Sequence, residues 1–276
     1  MYHRRRLLQI GANDGCGVSR GRCSDPVATL IRQGWGAVLM EPQLDAVAKL
    51  QSRHGLNTGI RIVRAALCLD PDALNTTLWS LNLTKNIGMN ESDPRCLGNL
   101  QTELASLSKG HLLAHQRWYP YTPSQCRKCA ATLGRALPST CLSRVITDNL
   151  EPTSVPCGSF ERELRHLGEP LAPPELLVSD AEGHDDQVIT RYFATGLAPP
   201  AFLRYEWNHL GRQRAQKLAN LLRDVHGMVP FSQGAVATAS WGVSFPLVRK
   251  LMPSDPFNLL WMRNLSAPLA GGTRAR

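Results

Sequence analysis

Leu7-Leu8-Gln9-Ile10-Gly11-Ala12-Asn13-Asp14-Gly15 is the stretch that decides how the chain is read. Leu7, Leu8 and Ile10 form a short apolar run with Gly11 directly behind it, the pattern of a buried strand breaking into a glycine loop. Glycines at 11 and 15 let backbone N–H groups approach a ligand, because no Cβ stands in the way. In an α/β sheet such a loop sits at the carboxyl end of a strand, where nucleotide-type ligands bind. An ordinary tight turn has the same local signature, so the segments on either side must decide.

Downstream, Asp25-Pro26 reads as an N-cap followed by proline at the first helical position. Val27, Leu30 and Ile31 supply one face of a helix ending near Gly34. Residues 37–40 form a short apolar strand that delivers Glu41 at its carboxyl end, followed by Pro42. An acid at that place is the usual device for gripping two ribose hydroxyls. It falls thirty residues after Gly11, and the segment 16–24 accounts for the long spacing. A helix face of Leu44, Val47, Ala48 and Leu50 follows, then a third strand over Ile60, Ile62 and 63–67, which contains Ala66. This β-α-β-α-β order is the first half of a doubly wound sheet.

Regular signals fade from about 70 to 157, a stretch with five cysteines and many turn residues, too long for a plain connection. It reads as an insertion shaping the substrate side. Regularity returns with a helix over 160–167 and a buried strand at 176–178. That strand ends in Ser179-Asp180-Ala181-Glu182-Gly183-His184-Asp185. Val188, Ile189, Tyr192 and Phe193 make the next helix face, and a strand over 201–205 ends at Glu206-Trp207-Asn208-His209. A helix over 212–226 places Ala215, Leu218, Leu221 and Leu222 inward, and 228–231 and 237–243 read as closing strands. The chain is read as one domain over 1–276, with a loose tail at 270–276.

With 43% hydrophobic and 19% charged residues, the composition is that of a globular protein and not of a disordered one. The net charge of +9 is scattered, and the one tight basic run, 3–6, has no interleaved aromatics, so nucleic acid is not the expected partner. No apolar stretch reaches the ~20 residues needed to span a bilayer. The first strand starts too early to leave room for a signal peptide, which favours the cytoplasm if the chain is complete. Eight cysteines and four Asn-X-Ser/Thr sequons, at Asn75, Asn82, Asn90 and Asn264, keep a secretory lumen open. Cys126, Cys129, Cys141 and Cys157 are open to disulfides, a structural zinc or free thiols; no metal is expected elsewhere.

Four pieces, Gly11 to Gly15, Glu41-Pro42, Asp180-Ala181-Glu182-Gly183 and Glu206-Trp207-Asn208-His209, resemble the FkbM-like family of S-adenosylmethionine-dependent methyltransferases. The resemblance covers about 7–68 and 155–243. It implies a Rossmann-like class I methyltransferase fold, an α/β sheet of seven strands with the last antiparallel. It also implies methyl transfer to a hydroxyl of a sugar, lipid or secondary metabolite, so the expected partner is a small-molecule or glycan acceptor. The cofactor set is then Gly11, Ala12, Asn13, Asp14, Gly15, Glu41, Pro42 and Ala66. Many members carry an acid two residues before the first glycine, where this chain has Gln9.

Taking the acceptor's proton is the task left to side chains, and Asp180, Glu182 and His184 are the candidates. The alternative is that Asp180 or Ser179 caps the helix beginning near His184. Two other functions share these signals. A non-catalytic module with this fold would bind a glycan or protein partner. A nicotinamide-dependent oxidoreductase would also use a glycine loop and a strand-end acid, but glycines at 11, 15 and 17 do not fit Gly-X-Gly-X-X-Gly.

Overall fold

The computed structural model describes residues 5–16, 18–19, 22–23, 25–70, 72–81, 105–115, 150–165, 173–230 and 258–263. In chain order, β1 (Arg6–Ile10) leads through a ribbon of β2 (Val18–Ser19) and β3 (Arg22–Cys23) to α1 (Pro26–Arg32). Next come β4 (Gly36–Met40), α2 (Leu44–His54), β5 (Ile60–Val63), β6 (Ala66–Leu67), β7 (Asn75–Leu81) and β8 (Ala105–Ser106). They are followed by α3 (Lys109–His115), β9 (Leu150–Gly158), α4 (Phe160–Arg165), β10 (Leu176–Ser179), α5 (Asp185–Ala194) and β11 (Phe202–Glu206). Last are α6 (Gly211–Asn220), continued by a π-helical turn Leu221–Val225, then β12 (Met228–Pro230) and β13 (Asn258–Arg263).

Five strands, in the order β5-β4-β1-β10-β11, run parallel. β13 pairs antiparallel with β11, and β12 pairs antiparallel with β13 at the edge. Alternation along β1 explains why both faces of the sheet need cover. Leu8 and Ile10 join Val38, Met40, Leu177, Leu203 and Tyr205 on one face, under Phe160 and Leu164 of α4, Ile189 and Tyr192 of α5, and Leu218. Leu7 joins Ala37, Leu39, Leu176, Val178 and Phe202 on the other, under Val27, Leu30 and Ile31 of α1 and Leu50 of α2. Each such fully buried large side chain contributes about 1.5–3 kcal/mol relative to exposure.

Asp25 caps α1 as expected, its Oδ1 accepting from the Val27 N–H at 2.7 Å. Gln9, buried in the middle of the sheet, donates to the other oxygen, Asp25 Oδ2, at 3.2 Å. An amide therefore suits position 9, where an acid would face a second buried carboxylate. The helix α2 departs from expectation. Its buried face is Ala46, Val47 and Leu50, while Leu44 and Ala48 face solvent, because the stripe that meets the sheet is centred between 46 and 50.

The third strand ends sooner than its apolar run: β5 stops at Val63, and Ala66–Leu67 cross into a second sheet, β6-β9-β7-β8. In that sheet β7 and β9 pair antiparallel over seven residues, Asn75↔Pro156 to Leu81↔Leu150. The insertion is thus ordered at both roots, where irregular chain is expected from sequence. Cys157 is bonded to Cys68, which removes it from any zinc set with Cys126, Cys129 and Cys141. Those three, the sequons at 82, 90 and 264, the expected strand 237–243 and the tail 270–276 lie outside the described residues. No helix among the described residues is long and apolar enough to cross a membrane.

Candidate functional site

Parallel pairing in register brings Ile10, Met40, Val63, Ser179 and Tyr205 to one edge of the sheet. The residues that follow them therefore meet there. β4 lies on one side of β1 and β10 on the other, so the crevice opens where the strand order reverses. An open pocket occupies it. Gly11, Asn13, Glu41, Pro42, Ala66, Asp180, Glu182 and His184 all line this pocket. Ile10, Leu67, Leu78 and Val188 give it apolar walls. The insertion contributes Ala105, Ser106 and Leu107, which sequence spacing cannot assign.

The rest of the glycine loop turns away. Ala12 is buried in the core beneath. Asp14 accepts from the Cys16 N–H at 2.9 Å and pairs with Arg53 of α2 at 2.9 Å. Gly15 packs so closely on α2 that a Cβ there would stand 2.6 Å from Leu50 Cδ2. The N–H groups of the loop are also engaged within the protein. Gly11 and Ala12 donate to Met40 O, Asn13 to Glu41 Oε2, Asp14 to Asn13 Oδ1, Gly15 to Ala12 O and Cys16 to Asp14 Oδ1. The expected cradle of free N–H donors is therefore absent over 11–16; the loop instead aims Glu41.

Glu41 is 3% exposed. Its Oε2 accepts from Asn13 N–H at 2.8 Å and its Oε1 from Gln43 N–H at 2.9 Å. Burial outweighs these donors and pushes its pKa up to about 7. The Gln43 side chain is a further donor to this carboxylate. Glu41 thus lines the pocket as a buried, hydrogen-bonded carboxylate among apolar walls.

Asp180 directly follows β10, its N–H donating to Ile10 O at 2.9 Å. Crowding by protein atoms, then the negative charges of Glu206, Glu182 and Asp185, hold its pKa well above the usual carboxylate range. Asp180 nevertheless remains open to solvent through the pocket, so water there moderates the first of these causes while the neighbouring charges persist. It does not cap α5. That helix starts after His184 without a side-chain cap. The turn is held instead by Asp185, whose Oδ1 accepts from Ser179 Oγ at 2.6 Å and from the Ala181 N–H at 3.1 Å. Burial raises the pKa of Asp185 to about 7.

His184 Nδ1 lies 3.2 Å from Gln187 Oε1, so that nitrogen carries the proton, and burial lowers the ring's pKa. Glu182 sits in a left-handed backbone conformation, φ 46°, its carbonyl accepting from Ser106 Oγ at 3.0 Å. Its carboxylate lies 3.7 Å from His111 Nε2 and 3.4 Å from His209 Nδ1. Burial works against a charged His209, but hydrogen bonds and the negative charges of Glu182 and Glu206 outweigh it and push the pKa up to about 10. No protein-family model and no curated protein matches this chain, which leaves the geometry of the site as the ground for assigning a chemistry.

Proposed function

We propose that the chain is an S-adenosylmethionine-dependent O-methyltransferase acting on a hydroxyl of a small molecule or glycan. The observation that carries this reading is the meeting of Glu41 and Asp180 on opposite sides of one pocket at the carboxyl edge of a parallel sheet. An antiparallel strand, β13, beside the last parallel strand adds support, since the class I methyltransferase sheet ends in such a strand.

Glu41, with Asn13 and Gly11 beside it, would hold the adenosyl part, and Ala66, Leu67 and Leu78 would cover it. The cofactor, when bound, supplies a methyl group on a positively charged sulfur. The chain's own residues would bring the acceptor close and aligned. Asp180 is placed to receive the hydroxyl proton on its carboxylate, and a pKa raised toward the working pH suits that task. The loop's use of its N–H groups within the protein leaves side chains, Glu41 above all, to do the binding.

The test is a methylation assay with cell extract as the source of acceptor. An acceptor should gain the mass of one methyl group only when the protein and S-adenosylmethionine are both added. Extracts that never yield such a product with a folded, cofactor-binding protein would count against catalysis and favour a binding module.

A further inference from the structure

We propose that His111, Glu182 and His209 form a site for one divalent metal ion of the zinc class, next to the pocket and with Glu206 beside it. Three distant segments build it. His111 comes from α3 in the insertion, Glu182 from the turn after β10, and Glu206 and His209 from the end of β11 and the short helical turn Asn208–Leu210 behind it. The ligand atoms of His111, Glu182 and His209 all lie within 4.8 Å of one another, and so do those of Asp180, Glu182 and Glu206. Glu182 belongs to both groups.

The separations favour a shared ion. His111 Nε2 is 3.7 Å from Glu182 Oε2, that oxygen is 3.4 Å from His209 Nδ1, and His209 Nδ1 is 3.1 Å from Glu206 Oε2. The first exceeds the range of about 2.7–3.2 Å for an N–H···O bond, and the other two leave His209 Nδ1 shared between two carboxylates. A tetrahedral zinc site with bonds of about 2.0–2.1 Å has ligand-to-ligand edges of roughly 3.3–3.4 Å, close to the separations of Glu182 from the two histidines. Two imidazoles with one carboxylate are also a donor set that suits zinc better than magnesium or calcium.

Neighbours hold these ligands in place, as metal sites require. Gly183 leaves room for the His111 ring, since a Cβ there would stand 2.5 Å from its Nδ1. Arg214 donates to Gly183 O at 2.8 Å and Ser106 to Glu182 O at 3.0 Å, fixing the turn from two sides. The rings of His111 and His209 meet edge-on, with centroids 5.1 Å apart. Three carboxylates, those of Asp180, Glu182 and Glu206, converge where a dication would offset their mutual repulsion.

One consequence rests on the methyl-transfer reading. An ion here adjoins Asp180, so an acceptor hydroxyl in the pocket would find a Lewis acid and a proton acceptor side by side.

The site is tested on the full chain, stripped of metal with a chelator and titrated with Zn2+ by calorimetry, without cofactor or acceptor. The expected result is one ion per chain, a raised melting temperature, and roughly 100-fold or more weaker binding in Glu182→Gln and His209→Ala. Co2+ in the intact chain gives a second readout that needs no variant: visible bands of nitrogen and oxygen ligation, lost in His111→Ala. No ion bound by the folded chain overturns the proposal and leaves His209 as a proton-carrying bridge between Glu182 and Glu206. Undiminished binding in the variants, or Co2+ bands of thiolate ligation, overturns it by placing the ion elsewhere. Because the titration contains no S-adenosylmethionine, its failure would leave the methyl-transfer reading standing, and the converse holds.

Discussion

A Cβ on Gly11 would collide with the carbonyl oxygen of Asp180. The two ends of β1 and β10 therefore approach as closely as they do only because residue 11 has no side chain. The glycine that marks the loop after β1 in sequence acts, in the structure, on the Asp180 side of the crevice.

Replacing Gly11 by alanine should destabilise the fold. Its φ of 73° costs a residue with a Cβ roughly 1–3 kcal/mol, and the collision with Asp180 adds to it. Urea unfolding of Gly11→Ala should show at least that loss, and Asp180 should be displaced in a crystal structure of the variant. A variant as stable as the parent would mean that the two strand ends can separate freely.

Glu41 and Asp185 should each add stability as pH falls from about 8 to about 5. Glu41 and Asp185 both have folded pKa values pushed up to about 7 by burial, above their unfolded values. A carboxyl of this kind binds its proton more tightly when folded. Its contribution is fully present below the unfolded pKa and is lost as pH rises through about 7. Unfolding curves across this window should flatten in Glu41→Gln and Asp185→Asn. A pH dependence left unchanged in both variants would contradict both assignments.

Much of the fold is legible in the sequence because both faces of the parallel sheet are covered. Val38 to Met40 and Leu176 to Val178 are apolar throughout, Leu7 to Ile10 are apolar but for Gln9, and Asp25 marks its helix with an Asp-Pro pair. The second sheet is not legible. β9 carries Pro152 and Pro156 and is largely exposed, so it offers neither alternation nor β-propensity. The pocket residues that end parallel strands are readable for the same reason as the strands. His111 is not: nothing at position 111 marks its place beside Glu182, since tertiary packing of the insertion puts it there. The loop's N–H groups are misread because sequence shows glycines but not the Met40 carbonyl that takes their hydrogen bonds.

The bond between Cys68 and Cys157 joins residues 89 apart in sequence and ties β6 to β9. Loop-closure entropy on that scale makes its removal cost about 2–5 kcal/mol. Reductant should lower the unfolding midpoint, Cys68→Ser should do the same without reductant, and non-reducing peptide mapping should recover the 68–157 pair. Finding Cys157 free in the folded protein would refute the pairing. Such a bond persists in oxidising compartments, and Asn75, exposed at the start of β7, is the sequon whose glycosylation would report one.

Asp180→Asn should lower turnover by about 10²–10⁴-fold, the usual worth of a positioned base. Its affinity for the cofactor should change little, because Asp180 stands across the pocket from Glu41. Near-normal turnover would move the base elsewhere, with His184, whose ring nitrogen Nδ1 is tied to Gln187, next to be replaced. Loss of cofactor binding alone would assign Asp180 to the cofactor instead.

Calorimetric titration of the folded chain with S-adenosylmethionine tests the central claim most directly. One molecule should bind per chain, and Glu41→Ala, losing charge-assisted bonds worth roughly 1.5–3 kcal/mol each, should bind it tenfold or more weakly. A folded protein that binds a nicotinamide dinucleotide in its place, or that binds neither, would contradict the assignment, and so would unchanged affinity in a folded Glu41→Ala.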